Sequence, residues 1–175
     1  MGDSAIWVAV LTGGTAVLAS WVTNRGTIRA ARAQAEASAA AERVERAREL
    51  RRAAYLELMA RAHDLGELYR KVVDARFQLG EGDAYVARVQ ELRQSVREAY
   101  DPLMGCVRAV ALEGPAQAAS AAQAVLGAAT EASRSLWHVS RGEPGARARF
   151  EDARATYADR LEGFVDAARA AVEAT

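Results

Sequence analysis

Two histidines and one cysteine are the side chains best suited to chemistry in this chain of 175 residues. Helical bundles hold metals on inward carboxylates and Glu-x-x-His pairs. Neither His63 nor His138 has a glutamate three residues before it. His63 has Asp64 beside it and Glu67 four residues on. One imidazole with acids on a helix face falls short of a zinc ligand set, so these read as solvated polar residues. His138 follows Trp137 near a helix end, where an imidazole caps free carbonyls or packs on the indole. Cys106 falls on an apolar stripe and reads as a buried, inert thiol. Carboxylates stand mostly beside arginine at helix-pair spacing, as Glu57 does with Arg61, and read as exposed ion-pair faces. No glycine-rich nucleotide fingerprint appears. The expectation is no catalytic residue, no metal, no cofactor and no small-molecule substrate.

The elements that carry these residues all read as helices. Leu50, Ala54, Leu58, Ala62, Leu65, Tyr69 and Val72 recur at three/four spacing, which predicts a core-facing helix over 50–79. Gly80-Glu81-Gly82 ends it, and Asp83 is the expected N-cap of the next. That second helix, over 83–112, presents Tyr85, Val89, Leu92, Val96, Ala99, Leu103, Cys106 and Val110. Pro102 removes a backbone donor inside it, so a kink near 98–101 is expected. The alternative is a break, with Asp101 capping a new segment. Gly114 suits a left-handed C-cap and Pro115 a first turn. The third helix, over 115–140, uses Ala118, Ala122, Val125, Ala129, Ala132, Leu136 and Val139. The fourth, over 145–173, uses Phe150, Tyr157, Leu161, Phe164, Ala168 and Val172. Short links between long helices predict an all-α, antiparallel up-down-up-down four-helix bundle over 50–175.

Ahead of the bundle lie two other stretches. No charge occurs between Asp3 and Arg25, a run of 21 residues. As a helix it is about 32 Å long, enough for a hydrocarbon core of about 30 Å. Trp7 and Trp21 stand near its ends, at headgroup level. Arg25, Arg29 and Arg32 follow it, whereas the N-terminal flank carries Asp3. The positive-inside bias then sets the N-terminus outside and the helical domain in the cytoplasm of a bacterial inner membrane. Residues 1–24 thus read as a single-pass transmembrane anchor. A cleaved signal peptide wants a basic leading region, which is lacking here. A buried helix of a soluble domain is the other reading, because Thr12-Gly13-Gly14-Thr15 dilutes the apolar run. Ala5, Ala9, Gly13, Ala16 and Ser20 form a seam of small residues, which suits helix–helix dimerisation. Residues 25–49 follow as a basic helical stalk, with eight alanines among the twelve residues from Ala30 to Ala41. Lacking an apolar seam, it is a weak coiled coil at best.

Formal net charge is zero, with 23 basic and 23 acidic residues, but it is uneven. Residues 24–52 hold eight arginines and four glutamates, next to the anchor, where basic charge meets anionic lipid. Basic residues do not interleave with aromatics elsewhere, so no nucleic-acid partner is expected. One cysteine makes no internal disulfide, in agreement with a reducing compartment.

An N-terminal apolar run, an Arg/Ala-rich stalk entering Arg51-Arg52-Ala53-Ala54-Tyr55, and Val110-Ala111-Leu112-Glu113-Gly114-Pro115 before an Ala-rich helix form a pattern. It resembles uncharacterised membrane-anchored helical proteins of Streptomyces-type actinobacteria. The resemblance implies no established activity and no catalytic residue.

These readings predict a non-enzymatic, single-pass membrane protein whose helical domain serves interaction or scaffolding. The expected partners are membrane lipid and a protein, either a second copy or another chain. The alternative is a membrane-active effector that oligomerises through its transmembrane helix.

Overall fold

The computed structural model describes the backbone of residues 3–80 and 82–174, and the side chains of residues 32–80 and 82–174. Its elements are α1 (Asp3–Leu79), α2 (Asp83–Glu113), α3 (Ala116–Val139) and α4 (Ala146–Glu173). The chain divides into two compact units between Arg46 and Ala47. In the first unit, the side chains from Arg32 to Arg46 are almost all exposed, as the lack of large apolar residues there dictates. The anchor reading, Trp7, Trp21, Arg25, Arg29 and the Ala5–Ser20 seam lie outside the described side chains. Arg32 is exposed. Among the described residues, no helix is long and apolar enough to cross a membrane.

The second unit is a four-helix up-down bundle, and its helices end for local reasons. Gly80 adopts φ +72°, and its N–H bonds Arg76 C=O at 2.8 Å, closing α1 in a left-handed cap. Gly82, not Asp83, stands at the N-cap of α2, without a side-chain cap bond. Asp83 occupies the first turn instead, where its charge meets the positive end of the helix dipole. Gly114 is extended (φ −94°, ψ 163°) where a left-handed cap was expected. The cause is Pro115, whose ring pushes the preceding residue out of helical and left-handed geometry. Pro115 is then the N-cap of α3 rather than a first-turn residue. α2 runs unbroken through Pro102, so no second cap forms at Asp101.

Aromatic side chains from α1 and α4 fill the centre. Tyr69 is fully buried and meets Phe150 and Tyr157 edge-on, at centroid distances of 5.8 and 5.4 Å. Tyr55 meets Phe164 in the same way at 6.1 Å. α3 supplies small residues in return: Ala118, Ala122, Ala128, Ala129 and Ala132 are all buried. Large rings on one side and alanines on the other let the layers interlock without voids.

Several positions depart from the expected stripes, Ala54 and Leu161 by being only half-buried. Leu50 is 53% exposed and the buried face of α1 begins at Tyr55, which packs beside Gly114 of α2 and Phe164 of α4. Val107 takes the core position expected of Cys106, which is only half-buried, as is Ala99. From Leu103 both a three- and a four-residue step keep to one helix face, and packing selects the longer step. Val172 is 54% exposed.

Candidate binding grooves

The expected chemistry-bearing residues do not converge. His63 and Asp64 are exposed, and Glu67 is engaged by Arg70 at 2.6 Å. The Arg70 hydrogen bond is the main reason that the Glu67 carboxyl is held below its ordinary value. Arg70 also holds Asp74 at 2.7 Å, one of several exposed ion pairs one helical turn apart. Glu57–Arg61 is another, at 2.8 Å, as its spacing implies. Such solvent-exposed pairs contribute little to stability, because water and salt screen them.

His138 lies in the last turn of α3, edge-on to Trp137 at 4.9 Å. Its Nδ1 is 2.7 Å from Glu143 Oε2, in the loop before α4. Cys106 is half-buried against the core, and burial pushes its thiol up, with Glu57 adding to that and Arg61 opposing it. A raised thiol is a poor nucleophile at neutral pH. Among the described residues, no group of three or more His, Cys, Asp or Glu side chains is placed to hold a metal ion.

What the fold does assemble is grooves along the seams between neighbouring helices. The first, of about 450 Å³, runs between α1 and α4. Leu56, Met59, Val165 and Val172 line it, together with Arg52, Arg169 and Glu173. Leu56 is 55% exposed and Val172 54%, so two of the large apolar side chains that this domain leaves exposed stand in one groove. Tyr55 also lines this groove, but its buried hydroxyl has no hydrogen-bond partner among the described residues. Burial accordingly raises that hydroxyl, partly offset by Arg51.

The second groove, of about 420 Å³, runs between α2 and α3. Two hydrogen bonds tie these helices together along it. Tyr100 Oη lies 2.7 Å from Thr130 Oγ1, and Arg93 donates to Ser140 Oγ at 3.0 Å. Thr130 itself donates to Leu126 C=O at 2.8 Å, so Tyr100 is the donor to Thr130. The same logic orients the floor. Tyr69 Oη donates to Ala129 C=O at 3.0 Å, so Ser133, 3.0 Å away, donates to Tyr69. Burial pushes the Tyr69 hydroxyl up to about 12, against the lowering effect of that Ser133 bond. Arg97 and Arg134 line the walls, and Trp137 provides an aromatic surface. Arg141 covers part of that indole, its guanidinium carbon 4.7 Å from the ring centroid.

The sequence pattern did not single out these groove residues. On α2, Arg93, Arg97, Tyr100 and Asp101 follow three/four spacing, the one signal that they share a face. That spacing alone is indistinguishable from an ordinary solvated face; their meeting with Trp137 is tertiary. No protein-family model, curated protein or solved structure matches this chain.

Proposed function

We propose that this chain is a non-enzymatic, membrane-anchored interaction protein whose helical bundle docks a protein partner through its α1–α4 groove. The observation that carries this reading is that Leu56 and Val172, two of the exposed large apolar side chains of the bundle, lie in one groove with Met59 and Val165. Together they offer an apolar patch, with Arg52, Arg169 and Glu173 as its charged residues, the usual composition of a docking face. A patch bearing both signs of charge suits a second copy of this chain, since two-fold pairing sets the same patch against itself. The anchor expectation for residues 1–24, with the bundle in the cytoplasm, supports the same reading by holding copies at one membrane.

The test is recovery of differently tagged full-length copies from one cell. Co-purification of the two tags from the membrane fraction, abolished by Leu56→Asp, is the expected result. Failure of either tag to recover the other, or a soluble full-length product, contradicts it.

A further inference from the structure

The α2–α3 groove differs in kind from the docking face, and its chemistry points to a ligand. Its walls combine cations with flat aromatic surface. Among the described residues, neither Arg93 nor Arg97 forms an ion pair: Arg93 donates to Ser140, and Arg97 reaches only Gln94, at 3.5 Å. Arg134 faces the same groove, although Glu131 holds it at 2.8 Å. Guanidinium groups one turn apart, without an acid of their own, attract a carboxylate and bind it by charge-assisted hydrogen bonds. Val96, Tyr100 and Trp137 supply apolar and aromatic surface in the same space. A volume of about 420 Å³ lies within the range of small-molecule sites, about 300–1,000 Å³. Asp101 lines the groove one turn beyond Arg97, so a bound anion is repelled from that end and directed toward Arg93 and Arg97.

We propose that the α2–α3 groove binds a small aromatic carboxylate, with its ring on Trp137 and Tyr100 and its carboxylate held by Arg93 and Arg97. The hydroxyls of Thr130 and Ser133 are already committed to Leu126 and Tyr69, so they do not compete as donors. Specificity therefore rests on negative charge and a flat ring.

The test is calorimetric titration of the purified full-length chain with 1-naphthylacetate, with its neutral amide, and with a short Asp/Glu-rich peptide. The acid is expected to bind at one site per chain, with the amide about tenfold weaker or worse, because a charge-assisted hydrogen bond is lost. Arg97→Gln should weaken the acid by about 10- to 100-fold. Arg97 is exposed and tied only to Gln94, so the fold is not at risk, and an unchanged melting curve confirms this. Arg88→Gln, which breaks an exposed pair with Glu91 outside the groove, should leave binding unchanged. Equal binding of acid and amide overturns the proposal, and so do acid binding unaffected by Arg97→Gln and no binding of the acid at millimolar concentration. Binding of the peptide alone also overturns it, and makes the groove a protein-docking surface. None of these readings depends on the α1–α4 face.

Discussion

The two grooves are similar in volume and differ in chemistry. Between α1 and α4 four large aliphatic side chains, Leu56, Met59, Val165 and Val172, share the lining with Tyr55, Arg52, Arg169 and Glu173. Between α2 and α3 the cations stand in the walls beside an indole and a phenol. The difference follows from what lies beneath each. α1 and α4 turn most of their large rings to the centre and leave Leu56, Met59, Val165 and Val172 along their outer seam. α3 brings alanines, and the space above them is bridged by hydroxyls and guanidinium groups. An aliphatic seam buries surface without regard to charge, whereas a guanidinium-lined seam recognises sign. One bundle thus carries two surfaces with separable tasks.

The largest expected effect comes from the residue at the centre of the core. Tyr69 packs on Phe150 and Tyr157 of α4 and bonds the α3 backbone at Ala129, next to Thr130 of the second groove. Tyr69→Ala should cost about 3–5 kcal/mol in chemical denaturation, by cavity formation with loss of its hydrogen bonds. A cost under about 1 kcal/mol would mean that Tyr69 does not tie α1 to α3 and α4 as its contacts imply.

Alkali gives the next largest effect. The Tyr69 hydroxyl is raised to about 12, and burial also raises that of Tyr157, whose O–H donates to Ala62 C=O at 2.6 Å. The unfolded chain, with ordinary values near 10, therefore loses these protons first. The stabilisation from Tyr69 is complete below about pH 10 and is lost as pH rises through about 12, by about 1.4 kcal/mol per pH unit, and Tyr157 adds a loss of the same sign. Denaturant titrations from pH 9 to 11.5 should show that fall, with a shallower slope in Tyr69→Phe. An equal slope in both proteins counts against the buried hydroxyl as its source.

Glycines sharpen the comparison at smaller cost. A Cβ on Gly114 would lie 3.0 Å from Tyr55 Oη and 2.8 Å from Val110 O, so Gly114→Ala should destabilise by about 1–3 kcal/mol. Gly127, inside α3, meets nothing within 4 Å, and Gly127→Ala should stabilise by up to about 1 kcal/mol. Thermal melts giving both changes the same sign would refute this contrast. Leu56→Asp should shift stability by no more than about 0.5 kcal/mol while removing association, since Leu56 is exposed.

The helices and most of the core were legible because the pattern is periodic. Every residue expected on the buried stripe of α3, from Ala118 to Val139, is buried. The errors fall where periodicity leaves a choice or a neighbour is needed. Cys106 and Val107 both fit the stripe of α2, and only packing against α1 separates them. Leu50 and Val172 continue their stripes in sequence, but they remain exposed. Gly114 was expected in the wrong conformation because the effect of the following proline outweighs the cap preference. Neither groove was visible, since Arg93, Arg97 and Arg134 read singly as surface charges until α2 and α3 are set side by side.

The most direct measurement is site-specific photo-crosslinking in living cells, with the photoreactive residue at Leu56, at Val172 or at Gln123, an exposed position on α3. The account predicts a discrete adduct of twice the chain mass, in the membrane fraction, from positions 56 and 172 but not from 123. Equal adducts from all three, or none from 56 and 172, would contradict a docking face between α1 and α4.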